Sequence, residues 1–354
     1  MKCSVSEENF HPGSSAPSLS VVIPTMGRPI LLKTLASLAA ADRFGELEIC
    51  VAGKIPDPEV AAGLRKFIET HPNTKHLDVC FETGDSSRKK NAGAEATSGE
   101  LVAFLDDDVE VARDWPRAIR EPFADSPVGL ACGPSLVPED LPLWARWAGL
   151  ALASPAAGYV AERYRENRDV PYPVDWDRII GCNAVYRRTA FVQMGGFPAD
   201  FYPGEEMIAA YRTERLGWGL RFLPAAKVWH YPRSSPGRFW RQIWGYGATR
   251  IRLIRGGVSF HPAPLVPGLW VAATLLLAVA SIWFPVARWL LLADLAAYFL
   301  MAFAVAAWTV RRTRRACDWA LLAMVPLMHT AYGLAEWAEL FRPGRDFSEP
   351  LRPQ

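Results

Sequence analysis

Apolar and polar positions alternate in blocks along the first two thirds of the chain. Leu19-Ser-Val-Val-Ile-Pro24 is a short, nearly continuous apolar run, the pattern of a strand buried on both faces of a sheet. A turn follows at residues 25–29, where Gly27 is free to take dihedrals closed to other residues. Leu31, Leu32, Leu35 and Leu38 then recur at helical spacing and predict an amphipathic helix over residues 30–40. The alternation continues with a strand over 47–52, a helix over 58–70 and a strand over 77–81. A polar, basic loop at 84–93 opens a helix through Ala96, and a strand follows over 101–105. Strands alternating with helices predict an α/β domain with a mostly parallel, doubly wound sheet of nucleotide-binding type.

That last strand ends in three carboxylates, Asp106, Asp107 and Asp108. Ligands of such sheets bind beyond the carboxyl ends of the strands. Alternate residues of an extended tip share a side, so Asp106 and Asp108 can flank one hard cation while Asp107 turns aside. Oxygen ligands of this kind suit Mg²⁺ or Mn²⁺, which would also touch the phosphates of a substrate. The bland alternative is a solvated acidic turn. Arg88, Lys89 and Lys90 near a helix N-terminus form a second possible anion site, although a solvated charge run accounts for them equally well.

The last third is dominated by apolar runs. Segments at 264–284, 286–310 and 319–341 each approach the roughly 20 residues that span a bilayer. The third contains His329, Glu336 and Glu339 and either crosses or lies at the interface. Arg311-Arg-Thr-Arg-Arg315 separates the second from the third, and the positive-inside rule places that cluster in the cytosol. The first two segments then form a hairpin that returns the N-terminal domain to the same side. A helical soluble core is the alternative. Residues 238–255 interleave arginines with aromatics. RNA-binding patches share that pattern, but ahead of a hydrophobic tail it predicts a helix at an anionic membrane surface. Residues 141–153, with Trp144 and Trp147, predict a helix of the core or of the membrane surface.

The chain has 354 residues and a formal net charge of +2, so no polyanion-binding balance changes this picture and no nucleic-acid partner is expected. Six cysteines are scattered without CxxC pairs, which argues against a disulfide framework or a zinc site. Neither a Walker motif nor GxGxxG is present, which disfavours an ATPase or a dinucleotide oxidoreductase. Residues 1–18 lack an apolar core and are expected to be a flexible tail, not a signal peptide. The expected division is a domain over 19–236, a basic aromatic helix region over 237–262, a membrane domain over 263–342 and a tail over 343–354. Beyond the acid cluster, Gly204-Glu-Glu206 opens a helix over 207–216. Glu205 and Glu206 would sit at its positive end, where one of them could take a proton from a hydroxyl. Ordinary helix N-terminal acids are the alternative. His230 ends a short strand-like run and, close to a carboxylate site, becomes a candidate third ligand.

Taken in order, Ser20-Val-Val-Ile-Pro-Thr25, Asn91-Ala-Gly93, Gly99-Glu100, Phe104-Leu-Asp-Asp-Asp108, Gly195-Gly-Phe197, Gly204-Glu-Glu206 and His230 resemble the motifs of family 2 glycosyltransferases with the GT-A fold. The resemblance covers residues 19–250. Residues 231–250, followed by membrane segments, look like those of bacterial glycosyltransferases of exopolysaccharide assembly, such as the succinoglycan type. The resemblance implies transfer of a sugar from a nucleotide-diphosphate donor with inversion, to an acceptor that the membrane tail suggests is lipid-linked. It also implies a multi-pass protein of the inner membrane with its catalytic domain in the cytosol. Carried onto this chain, Asp108 would hold the metal with Asp106 and His230. Asp106 would also face the donor, and Glu206 would be the base ahead of Glu205. Pro24, Thr25, Arg28, Lys90, Asn91 and Asp107 fall in the donor region, and Arg238 and Arg241 lie where such enzymes carry donor-facing residues.

There are departures from the family pattern. Gly27 precedes Arg28 where Asn is common. Ala52-Gly-Lys-Ile-Pro-Asp57 replaces the usual Asp-Asp-Gly-Ser, which leaves the nucleotide-base contact to Asp57 or to nothing and leaves the nucleotide open. The Glu-Glu pair reaches one methylene further than Glu-Asp. Arg241-Gln242 stands in place of the Gln-x-x-Arg-Trp of processive synthases, so one sugar per encounter is expected. A non-catalytic nucleotide-sugar-binding subunit is the rival reading.

Overall fold

The computed structural model describes residues 16–124, 127–166, 168–258 and 262–343. Four strands carry the first half: β1 (Leu19–Pro24), β2 (Leu47–Ala52), β3 (Thr74–Leu77) and β4 (Leu101–Leu105). The crossovers between them are α1 (Ile30–Ala39), α2 (Pro58–Thr70) and α3 (Asp85–Glu95). Asp57 caps α2 by accepting from the backbone N–H groups of Glu59 and Val60, with Pro58 in the first turn. Next come β5 (Val109–Val111), α4 (Trp115–Arg120), β6 (Val128–Cys132), β7 (Ser135–Leu136), α5 (Leu143–Ala153) and β8 (Tyr172–Pro173). β9 (Asn183–Arg187), α6 (Arg188–Gln193), α7 (Glu205–Arg215), β10 (Gly219–Phe222) and β11 (Val228–His230) complete the sheet region.

Among the described residues the main sheet has eight strands in the order β3-β2-β1-β4-β9-β6-β10-β8. β3, β2, β1 and β4 run parallel. β9 lies antiparallel between β4 and β6, and β8 is antiparallel at the edge. β4 is central and buried along its whole length, so its apolar run has no solvent face to mark with polar residues. A small sheet, β5-β11-β7, begins just past the carboxyl end of β4. The alternating pattern therefore reads the α/β architecture correctly.

Three expected elements move. The third strand is Thr74–Leu77, not residues 77–81. It pairs with Ile49 to Ala52 of β2, and β2 ends at Ala52, so nothing remains for residues 78–81 to pair with. The stretch expected as a basic loop is helical from Asp85. Lys89 and Lys90 are buried there while Arg88 is exposed, so only Arg88 fits a solvated run. The helix expected over 207–216 opens earlier, at Glu205.

The C-terminal third is α8 (Pro236–Arg255), α9 (Val266–Ala280), α10 (Pro285–Thr313) and α11 (Leu321–Leu340). Two helical stretches, Ala263–Ala280 and Pro285–Thr313, are long and apolar enough to cross a membrane. Leu276, Val279, Trp289 and Phe299 on them are exposed. α11 is different. Its Met324, Met328 and Ala331 join Ala148 and Leu152 of α5 and Phe239 and Ile243 of α8 in a second apolar core. The 141–153 segment is accordingly a core helix, although Leu143 and Trp144 remain exposed. Arg146 and Asp318, buried and 2.6 Å apart, tie α5 to the start of α11. The described cysteines are all free. The expected tails lie outside the described residues up to residue 15 and from residue 344.

α8 and α11 pack tightly at Gly247, where an added Cβ would stand 2.3 Å from the Tyr332 carbonyl oxygen. Gly247→Val is expected to lower the melting temperature of the detergent-purified protein by roughly 1–4 °C, as overpacking costs of about 1–3 kcal/mol imply. Gly237→Ala, where an added Cβ meets nothing, serves as the control.

Candidate active site

The site begins where β4 stops. Asp106 N–H bonds back to the Cys182 carbonyl at 3.4 Å, the last contact of the strand with its antiparallel neighbour β9. Asp107 turns aside, as the alternation of an extended tip requires. Its Oδ2 accepts from Thr25 Oγ1 at 2.6 Å, its other oxygen pairs with Arg28, and its carbonyl accepts from Thr34 Oγ1 at 3.0 Å. Asp107 therefore clamps the β1–α1 turn onto the tip of β4. The turn itself needs Gly27, which sits at φ 72°.

Asp108 enters β5, and β5 pairs antiparallel with β11 so that Val109 faces His230. This pairing brings His230 Nε2 to 3.1 Å from Asp108 Oδ1. The ligand atoms of Asp106, Asp108 and His230 all lie within 4.8 Å of one another. Nε2 is buried, and its polar neighbour is Asp108. Arg28 reaches Asp108 Oδ2 at 3.0 Å and Arg233 approaches it at 3.6 Å.

The charges are unequal in consequence. Burial pushes the Asp108 carboxyl up, but His230, Arg28 and Arg233 more than reverse this and hold it well below the usual carboxylate range. Asp106 is raised, first by burial and then by Asp108. Burial alone would lower His230, yet the two carboxylates raise it.

The paired acids at the start of α7 have divergent surroundings. Gly204, at φ 108°, turns the chain into the helix and lies so close to α8 that a Cβ would stand 2.5 Å from Thr249 Cγ2. Glu205 is buried. Its Oε1 accepts from Lys90 at 3.1 Å and from Ser86 at 3.0 Å, and its Oε2 from the Gly204 N–H at 3.2 Å. Burial opposes its charge, but Lys90 and these bonds leave it below its ordinary value. Glu206 packs over Gly181 and opens into a cavity between the sheet domain and the C-terminal helices. Burial, then the charge of Glu205, push Glu206 up to about 7, with Lys90 opposing. A carboxyl held near neutrality can take up a proton at working pH.

Several expected site residues have other engagements. Lys90 is the counter-ion of Glu205, and the charges of Asp106 and Glu206 also act on it. Asn91 exchanges two 2.9 Å hydrogen bonds with the backbone of Phe197, so it braces the Gly195-Gly196 turn. Pro24 ends β1, and Thr25 supports Asp107. Arg238 and Arg241 are exposed on α8. Arg241 Nε donates to the Gly237 carbonyl, and among the described residues neither contacts the acid cluster. Asp57 is occupied as the cap of α2. Lys89, expected in an anion site or a solvated run, is instead buried and donates to the Thr25 carbonyl at 2.9 Å. Sequence reasoning assigned no role to Arg233 or Gly181, and of these Arg233, three positions past His230, had the visible signal.

Residues 20–195 match the family model described as glycosyl transferase family 2. Over 97 residues, 27% of this chain and 31% of the relative, the chain is 34% identical to a GalNAc(5)-diNAcBac-PP-undecaprenol beta-1,3-glucosyltransferase of Campylobacter jejuni. Over 156 residues, 40% of this chain and 45% of the relative, it is 30% identical to an N-acetylglucosaminyl-diphospho-decaprenol L-rhamnosyltransferase of Mycobacterium tuberculosis. The chain thus spans less than half the length of either curated relative. A mannosyltransferase from Pyrobaculum calidifontis, solved with GDP-Man and Mn²⁺, superposes over 95% of this chain and 91% of its own, with a TM-score of 0.57 and 20% sequence identity. The sheet domain of this protein is a glycosyl transferase family 2 domain of GT-A fold.

Proposed function

We propose that the chain is a membrane-anchored, metal-dependent, inverting glycosyltransferase. It moves a sugar from a nucleotide-diphosphate donor to a hydroxyl of a lipid-linked acceptor in cell-surface glycan assembly. The observation that carries this reading is the pairing of two differently tuned acid groups in one cleft. Asp106 and Asp108 converge with the buried His230, whose Nε2 faces Asp108 at 3.1 Å, while Glu206 is held near neutrality beside them. The names of the two relatives, both polyprenol-diphosphate glycosyltransferases, support a lipid-linked acceptor.

Asp106, Asp108 and His230 would hold the ion. Two oxygens and an imidazole nitrogen fit Mn²⁺, with Mg²⁺ the alternative. When bound, such an ion supplies the positive charge that a departing nucleoside diphosphate needs. Arg28 and Arg233 border the same carboxylates and add to that charge. Glu206 takes the proton of the acceptor hydroxyl as its oxygen bonds to the anomeric carbon. The bond from that carbon to the diphosphate breaks on the opposite face, so one displacement inverts the centre. Glu205 is a positioning residue that is neutralised by Lys90 and so leaves the proton to its neighbour.

We read residues 19–236 as the catalytic domain, 237–262 as the basic aromatic helix region and 263–342 as the membrane domain of an inner-membrane protein. The exposed Arg311, Arg312, Arg314 and Arg315 end the α9–α10 hairpin, and the positive-inside rule sets that end, with the catalytic domain, in the cytosol. One observation favours a second reading, a donor-binding subunit without turnover: Asp57 is tied up as a helix cap, so the acid that would hold the nucleotide base is missing.

Release of nucleoside diphosphate from a panel of nucleotide sugars, with and without lipid extract and Mn²⁺, decides between the two. Turnover that needs metal, one donor and lipid is expected, whereas donor binding without turnover across the panel selects the subunit. Asp108→Asn and His230→Ala are each expected to weaken Mn²⁺ binding in the presence of nucleoside diphosphate by at least about tenfold, read by titration calorimetry. Glu206→Ala is expected to lower kcat by about 10²–10⁴ while donor binding persists. The pH profile follows from Glu206. A base must be deprotonated, so kcat falls as pH drops through about 7. Removing the charge of Glu205, which raises Glu206, moves this acid limb to lower pH in Glu205→Gln. A limb that stays in place rejects Glu206 as the base.

A further inference from the structure

The cavity that Glu206 opens into has a volume of about 510 Å³, and among the described residues that line it Glu206 is the one carboxylate. Tyr246 of α8 is half-buried and lines the same cavity. The chemistry derived above gives this tyrosine no task.

Its hydroxyl is held from two sides. Gln242, one turn earlier on α8, donates from Nε2 to the phenolic oxygen at 3.0 Å. Tyr164, in the chain that follows α5, hydrogen-bonds the same oxygen and also lines the cavity. A phenolic oxygen that accepts from two donors still has its own proton to give. Burial, then the charge of Glu206, raise the Tyr246 phenol, with Gln242, Arg233 and Tyr164 opposing. The group therefore keeps its proton at working pH and acts as a donor.

The backbone of Tyr246 has little freedom. Gly245 lies against Pro203, where an added Cβ would stand 3.0 Å from Cγ, and Gly247 lies against the Tyr332 carbonyl of α11. Thr249 bonds the Pro203 carbonyl at 2.7 Å. A glycine on each side thus lets α8 press on the loop before Glu205 and on α11 at once, with Tyr246 carried between the two contacts.

We propose that Tyr246 is a positioning residue for Glu206: its phenolic O–H donates to the ionised carboxylate, fixing one oxygen and leaving the other to take the acceptor's proton. This rests on the transferase reading only for the description of Glu206 as a base. A donor to a carboxylate favours its ionised form. The other groups that act on Glu206 are Glu205 and Asp106, which raise it, and Lys90 of α3, which lowers it. Glu206 acts in turn on the phenols of Tyr186 in β9 and Tyr202 in the preceding loop. A change at Tyr246 leaves all of these in place.

The test is a pH profile of nucleoside diphosphate release by the full chain in detergent, with Mn²⁺ and lipid extract. Losing the donor raises the Glu206 carboxyl, so Tyr246→Phe is expected to move the acid limb of kcat to higher pH by about one unit. That direction is opposite to the shift in Glu205→Gln. Activity near pH 6 then falls about tenfold, while activity near pH 9 stays within about threefold of wild type. Loss by one common factor at every pH, as a purely structural role would give, overturns the proposal. A ring-fluorinated tyrosine at position 246 keeps the shape and is a stronger donor, so it moves the limb to lower pH. This variant decides the matter if Tyr246→Phe does not fold, and an unmoved limb in it overturns the proposal. A second readout needs no turnover. The Glu206 carboxyl is titrated by infrared difference spectroscopy of the donor-free protein, with Glu206→Gln identifying its band, and the midpoint is expected to rise in Tyr246→Phe. A midpoint within about 0.3 unit of wild type overturns the proposal. The two readings fail separately. A shifted midpoint without any sugar transfer removes the enzyme reading and keeps the Tyr246–Glu206 pair, whereas transfer with an unmoved midpoint removes the pair and keeps the enzyme.

Discussion

Burying a carboxylate costs several kcal/mol unless charge and hydrogen bonds replace its water, and the cleft at the end of β4 buries Asp107, Asp108 and Glu205 together. Each has a specific counterpart: Arg28 and Thr25 for Asp107, His230 and Arg28 for Asp108, Lys90 for Glu205. These partners come from the β1–α1 turn, α3 and β11, which are far apart in the chain. The sheet order follows the same constraint. β4 must lie beside β1 for Asp107 to reach Thr25, and β5 must pair with β11 for Asp108 to reach His230.

The same accounting separates the two halves of the chemistry. Cations crowd around Asp108 and leave it ionised and ready to share a hard ion, while burial without a paired cation leaves Glu206 close to neutrality. Lys90 sits between these regimes, since Asp106, Glu205 and Glu206 all act on it. Its direct bond is to Glu205. One lysine thereby fixes which of two adjacent glutamates stays charged, a distinction that sequence spacing cannot make because both residues stand in the first turn of one helix.

How much could be read from the chain follows from how local each feature is. β1, β2, β4 and α2 were legible because their apolar periodicity and caps lie within a few residues. The acid tip was legible because a buried strand running into carboxylates is a local contradiction. α3 was not, because Lys89 and Lys90 look solvated until the Thr25 carbonyl and Glu205 are brought to them from elsewhere in the fold. β3 was displaced because its pairing partner, and not its own residues, sets its end. Arg233 and Gly181 act through loops, where no period exists to announce them. The exposed Arg238 and Arg241 carried the stronger sequence signal, since arginines interleaved with aromatics stand out whether or not they face the acids.

The C-terminal helices are more than a tether. Thr249 of α8 bonds the Pro203 carbonyl at 2.7 Å, directly before the Gly204 turn that aims Glu205 and Glu206. Arg252, one turn on, joins the Tyr202 carbonyl to Glu339 of α11 at 3.1 Å each. The loop that positions the proposed base is therefore held by two helices, and one of them packs against the apolar α9 and α10. Such bracing limits how far the Glu206 carboxyl can move, because the elements that bound the cavity also set its position.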